Sequence, residues 1–349
     1  MGRRVLVTGL GTFWGGRVAQ ALEADPTVDV IVGLDTFEPS VELERTEFVR
    51  ADESYSILAR IVKAARIDTV LHTFLVADSS QMSPRTLHEI NVIGTMNLLA
   101  AASAVDSPVK RLIVKSSTLV YGSNPEDPVW FAEDMRRSKP PRTLVESSLL
   151  EAEGYIRDFS DDNPDVSVTV LRFSNVLGPD IVTPLSTALC LPLVPFVAGF
   201  DPRLQFVHED DVVRSILFVL EHEHLGAFNV AGDGLLPWSE VARICGKRML
   251  PLPPLGTGLA ARVLKAARAV DLPPESIELL RHGRGVDTRR LRRKGFRYEY
   301  TSAGAVENFW QAERLHRTVG EIAPQYRYER DVEAFFRHSP AVVHDGDSA

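Results

Sequence analysis

Residues 3–16, Arg-Arg-Val-Leu-Val-Thr-Gly-Leu-Gly-Thr-Phe-Trp-Gly-Gly, run from an apolar stretch through a glycine-rich turn into a helical pattern. The first turn of a helix leaves backbone N–H groups unpaired and partly positive, and only residues without a bulky Cβ let phosphate oxygens come close to them. Gly9, Gly11 and Gly15, with Thr12, Phe13 and Trp14 between them, therefore form a candidate grip for the pyrophosphate of a dinucleotide. A glycine pattern of this kind is weakly specific alone, so its continuation matters. The run from Val28 to Leu34 reads as a buried parallel strand and ends on Asp35. A carboxylate there can accept both hydroxyls of an adenosine ribose and would repel a 2′-phosphate, which favours NAD over NADP. The alternative for Asp35 is a loop cap at the strand end.

Alternation of strand-like and helical runs must position these groups. Strands are expected at 5–8, 28–34, 69–73, 111–115 and 167–172, and helical spacing covers 56–66 and 86–104. The pattern predicts an α/β fold, a Rossmann-type doubly wound parallel sheet. Right-handed crossovers place every C-terminal strand end on one edge, where ligands bind. After Gly178 and Pro179 the composition shifts: Pro184, Pro192, Pro195 and Pro202 punctuate a less periodic segment, followed by Pro251, Pro253 and Pro254. The expected division is a cofactor domain over 1–178 and a mixed region over 179–338. That region is mostly a smaller C-terminal substrate subdomain, with segments returning to the first domain. Residues 339–349 are small and acidic and read as a disordered tail.

The chain has 349 residues, 44% of them hydrophobic and 25% charged, which suits a globular core. A formal charge of -8 argues against nucleic acid or an anionic membrane as partner. The basic run Arg289, Arg290, Arg292, Arg293 and Lys294 reads as a solvated helix face. Cys190 and Cys245 are too few for a disulfide framework, which fits a reducing, cytoplasmic setting. Neither a signal peptide nor a membrane span is expected. His208, Asp210 and Asp211 read as an acid-capped helix start, so no metal site is expected.

Further motifs follow in order. Asp52 follows Val49 and Arg50, His72 ends the third expected strand, and Asn91, Gly94, Thr95 and Asn97 lie on one helical run. Beyond them stand Ser116 to Gly122, Asn175 to Pro179, Phe206 to Val212 and Phe228 to Gly232. Together with Thr8 to Gly15 these resemble, over Val5 to Trp310, the extended short-chain dehydrogenase/reductase family. The similarity is to its NAD-dependent nucleotide-sugar epimerases and dehydratases, of the UDP-glucose 4-epimerase kind. The resemblance implies NAD as cofactor and a nucleotide sugar as partner. It implies an adenine contact for Asp52 and a substrate-orienting, catalytic role for Ser117. Asn175 would contact substrate, with Arg203, Arg281 and Arg284 as candidate diphosphate ligands. His72 is either a cofactor contact or a strand-end histidine with a backbone partner, and Asn91 is a structural tie. Relatives pair as homodimers through the helix at 86–104 and the one near Glu146. Leu149 and Leu150 would suit that interface or, equally, a core-facing stripe.

Two departures stand out. Thr12 replaces the middle glycine of the opening motif, and its β-branched side chain would crowd a pyrophosphate unless Gly11 lets the turn shift. More seriously, none of the seven tyrosines has a lysine four residues on. The family's Tyr-x-x-x-Lys pair, which removes the substrate proton, falls on Val145 and Leu149, or in another register on Leu144 and Ser148. Loss of a general base costs on the order of 10²–10⁴ in rate. Glu146 or Glu151 could replace it, although surface salt bridging suits both better. Two functions follow: an oxidoreductase or isomerase acting on a nucleotide sugar with a non-standard base, or a catalytically silent NAD-binding protein that regulates a partner.

Overall fold

The computed structural model describes residues 2–80, 82–254, 257–258 and 271–319. In the first half, β1 (Arg3–Thr8), α1 (Phe13–Glu23), β2 (Val28–Asp35), β3 (Thr46–Arg50), α2 (Tyr55–Ala64) and β4 (Thr69–His72) follow one another. Next come α3 (Pro84–His88), a π-helical turn (Glu89–Gly94), α4 (Thr95–Ala102), β5 (Arg111–Ser117), α5 (Leu144–Asp162) and β6 (Ser167–Phe173). The continuation is β7 (Asn175–Leu177), α6 (Pro184–Cys190), β8 (Leu193–Val197), β9 (Arg203–Leu204), β10 (Phe206–His208), α7 (Glu209–Glu221) and β11 (Gly226–Val230). The last described elements are β12 (Leu236–Pro237), α8 (Trp238–Ile244), β13 (Arg248–Leu252), α9 (Pro274–His282), α10 (Arg289–Arg293) and α11 (Ser302–Val319).

Seven strands form one parallel sheet in the order β11-β6-β5-β4-β1-β2-β3. Its inner strands are apolar on both faces because helices cover both: Val5, Leu6, Val7, Leu112 and Val114 are all inaccessible to solvent. One core joins the sheet to α2, α4 and α5, and the other joins it to α1 and α7. A third core, with Trp238, Phe206 and Leu280, builds the smaller subdomain. Beyond residue 178, α7 joins the core that holds α1, and β11 pairs with β6 in the central sheet.

The single helix expected over 86–104 is interrupted by the π turn. That wider turn carries Asn91 inward, where its amide accepts from Val76 N at 2.7 Å and donates to Val76 O and Ser148 Oγ, both at 2.9 Å. The basic run forms α10 with Leu291 buried beneath it and Arg289, Arg290, Arg293 and Lys294 exposed. The tail over 339–349 lies outside the described residues.

Candidate functional site

The glycine turn joins β1 to α1. Gly9 has φ +77°, and a Cβ there would fall 2.8 Å from the Phe74 backbone. At Gly15 a Cβ would fall 2.0 Å from the Gly9 carbonyl oxygen, so only glycine lets α1 start this close to β1. Thr12 is the N-cap of α1: its hydroxyl accepts from Gly15 N at 3.1 Å and donates to the Gly9 carbonyl at 2.6 Å. Those two bonds tuck the hydroxyl into the turn. Phe13 and Trp14 supply the first N–H groups of the helix, which have no acceptor within it.

Asp35 ends β2 as a buried carboxylate, accepting from Gly11 N at 2.9 Å and Phe37 N at 3.1 Å. Burial raises its pKa, and those two N–H bonds work against the rise. Asp52 is exposed at the end of β3 and accepts from Ser54 N at 3.3 Å. Beside it stands Glu53, which burial pushes up to about 7, with Asp35 and Asp52 adding to the rise.

Next to the turn, a cavity of about 310 Å³ opens over the ends of β4, β5 and β6. Thr12, Phe13 and Trp14 form one wall, while Lys115, Ser117 and Asn175 line the strand ends. Glu275 and Arg284 close it from the smaller subdomain. Ser117 is buried, and its Oγ accepts from Leu119 N at 3.2 Å. The strand end is held by a polar chain: Ser116 Oγ donates to Glu153 at 2.6 Å, Arg172 donates to Glu153 at 2.6 Å and to Tyr121 Oη at 2.7 Å, and Tyr121 donates to Asn229 at 2.8 Å.

Several expected site residues lie elsewhere. His72 sits beneath the cavity, with its ring nitrogens 3.2 Å from Thr8 Oγ1 and 3.0 Å from Thr95 Oγ1. Burial, with Lys115 nearby, lowers it to about 3, so the ring is neutral. Arg203 is exposed, and Arg281 pairs with Glu278 at 3.2 Å; neither lines the cavity. Arg284 does, although its guanidinium is occupied in donating to Thr118 Oγ1, Gly122 O and Ser123 Oγ. Burial lowers its pKa to about 10, Glu146 and Asp127 opposing the fall. Val145 and Leu149 are fully buried in the core, so Leu149 faces inward rather than toward an interface. Glu146, expected at the surface, is also buried, and pairs with Arg137 at 2.8 Å. His208 caps α7 by accepting from Asp210 N at 3.1 Å, and no metal-type cluster occurs among the described residues.

Two cavity residues were missed in the sequence. Lys115 shares a strand face with Ser117, because residues two apart on a strand point the same way, and that spacing was a usable signal. Its Nζ donates to the Leu75 carbonyl at 2.7 Å, and burial lowers its pKa to about 8. Glu275 Oε1 accepts from Ser79 N at 2.9 Å and Ser79 Oγ at 2.8 Å, while Oε2 is buried without a partner. Burial raises its pKa. It follows Pro273 and Pro274 far along the chain, and nothing nearby in sequence links it to the sheet.

Comparison with known proteins agrees with this architecture. Uncharacterized proteins of Mycobacterium tuberculosis and Mycobacterium bovis are 34% identical over 321 residues, covering 89% of this chain and 84% of theirs. UDP-glucose 4-epimerase of Thermotoga maritima, solved with UDP-glucose, superposes with a TM-score of 0.70 at 19% identity, covering 90% of this chain and 99% of that one. dTDP-glucose 4,6-dehydratase of Bacillus anthracis, solved with NAD, gives 0.68 at 19% identity, covering 90% and 98%. Residues 5–231 match the profile of one family directly. The chain belongs to the NAD dependent epimerase/dehydratase family.

Proposed function

We propose that this protein binds NAD along the strand ends and a nucleotide sugar in the adjoining cavity, where it acts on the sugar as an epimerase or dehydratase does. The supporting observation is one cavity that brings together Thr12, Phe13 and Trp14 from the glycine turn with Ser117 and Asn175 from the strand ends. The residues fit the dinucleotide: Gly15 leaves no room for a Cβ, the start of α1 offers N–H groups to a phosphate, and Asp35 stands at the β2 end for a ribose. Bound there, the dinucleotide supplies reversible two-electron redox chemistry. Ser117 orients a substrate hydroxyl, and Asn175 and Arg284 border the space for the rest of the sugar nucleotide. UDP-glucose is the first substrate to try. A homodimer and a cytoplasmic setting belong to the same proposal. Ile93, Met96 and Leu144 are exposed apolar side chains around α4 and α5 that suit the former.

A second reading is a silent NAD-binding protein that regulates a partner, favoured by the lack of a Tyr-x-x-x-Lys pair on α5, where Val145 and Leu149 are apolar core and the other register gives Leu144 and Ser148. Titration with NADH, followed by incubation with NAD and UDP-, dTDP- and GDP-sugars, separates the two. Turnover that falls in Ser117→Ala supports the enzyme. NADH binding with no turnover on any sugar supports the silent protein, and no NADH binding at millimolar concentration overturns both.

A further inference from the structure

Lys115 presents a problem of charge. It follows Leu112, Ile113 and Val114, all buried, at the end of a central strand, and its side chain shares a face with Ser117 and lines the same cavity. Its ammonium donates to one neutral acceptor, the Leu75 carbonyl, at 2.7 Å. No carboxylate pairs with it among the described residues. An ammonium has three N–H donors, so two remain for a ligand. A half-buried cation without a counter-charge is unfavourable, and a ligand that offers oxygen acceptors relieves it. On α5, neither position that the resemblance matches to the family's lysine, the fully buried Leu149 or in the other register Ser148, carries a cation, and no basic residue of that helix lines the cavity.

We propose that Lys115 is the positioning cation of this cavity, donating its two remaining N–H groups to a vicinal pair of hydroxyls on the bound ligand. The inference rests on the proposed function, which gives two sources of such a pair: the nicotinamide-side ribose of the dinucleotide, and the hexose of the sugar nucleotide. Lys115 thus supplies from the strand the cation that α5 lacks. Ser117, two residues on, then orients the hydroxyl that reacts. Burial lowers the Lys115 pKa to about 8, which agrees with an ammonium short of compensation.

The test compares wild type, Lys115→Met and Lys115→Arg by fluorescence titration with NADH and by calorimetry with UDP-glucose, with AMP as a ligand that lacks both hydroxyl pairs under test. Lys115→Met is expected to weaken NADH or UDP-glucose by about 10- to 100-fold, the size of a lost charge-assisted contact, with Lys115→Arg in between and AMP unchanged. Loss for NADH alone identifies the ribose, and loss for UDP-glucose alone identifies the hexose. Unchanged affinity for both overturns the proposal. Wild-type protein adds a check independent of variant folding: acetylation of Lys115 by an N-hydroxysuccinimide ester, followed by peptide mass spectrometry, should slow about tenfold at saturating ligand. NADH that binds without protecting Lys115, with UDP-glucose also failing to protect it, removes the role of Lys115 and leaves the proposed function standing. Failure of wild type to bind NADH removes the proposed function, while UDP-glucose still reports on Lys115; failure to bind either removes both.

Discussion

The Thr12 hydroxyl accepts from Gly15 N–H at 3.1 Å and donates to the Gly9 carbonyl at 2.6 Å, so the residue that replaces a glycine also caps the helix. Thr12→Ala should cost about 1 kcal/mol and Thr12→Gly a few tenths, read by urea unfolding. NADH affinity should hold in both, because the hydroxyl lies inside the turn. A large gain in affinity in Thr12→Gly would show that the threonine obstructs the site.

Asp35 holds Gly11 N and Phe37 N and has lone pairs left for a ribose. Asp35→Asn keeps an acceptor but removes the charge that repels a 2′-phosphate. The ratio of NADH to NADPH affinity should therefore fall by about tenfold, read by fluorescence titration. An unchanged ratio would remove Asp35 from cofactor choice.

Glu153 and Arg172 form a mostly buried pair at 2.6 Å that also ties down Ser116. Glu153→Ala leaves the guanidinium without its charge partner, at a cost of about 3–5 kcal/mol. Chemical denaturation measures this directly, and a cost below about 1 kcal/mol would mean that water replaces the carboxylate.

Lys115 should trade stability against binding. Its folded pKa of about 8 lies below lysine's ordinary value of 10.5, so between those values the unfolded chain holds more protons and stability rises with pH. Below pH 8 the full penalty applies, and Lys115→Met should stabilise the unliganded protein at pH 7 by on the order of 2 kcal/mol. Ligand affinity has the opposite dependence, being greatest with the ammonium present and weakening above pH 8. Around it, His72 stays neutral, and Asp78, Glu275 and Arg284 occupy the cavity wall. Stability curves and NADH titrations from pH 6 to 10 check both signs. A variant less stable than wild type at pH 7 would contradict the first.

Ile93 and Met96 present apolar surface around α4, each more than 40% exposed. If that surface joins two copies, Ile93→Lys with Met96→Glu should convert a dimer to a monomer in sedimentation. A monomeric wild type would refute the pairing.

Much of this was written in the sequence. Each of the five expected strands lies in the sheet, because fully buried parallel strands are continuous apolar runs. Of the two edge strands, β3 escaped notice because Glu47 and Arg50 break its apolar run, whereas β11 overlaps Phe228 to Gly232, which only the resemblance marked as a strand. The π turn was invisible because Leu87, Ile90, Gly94 and Leu98 keep steps of three and four across it. Arg203, Arg281 and Arg284 looked alike as anion ligands, yet their directions depend on partners far along the chain, such as the Gly122 carbonyl for Arg284. Lys115 was overlooked for a similar reason, since its meaning depends on the cavity above it and on what α5 lacks.

The pairing of β11 with β6 has a consequence for how the protein is made. Until Gly226–Val230 emerges, β6 has one edge of unpaired N–H and C=O groups, next to Leu171 and Phe173, which are buried in the complete fold. Such an edge is a template for another chain. The nascent first half must therefore wait for about fifty further residues to close its own sheet, and a fragment ending at 178 would seek that missing strand in its neighbours.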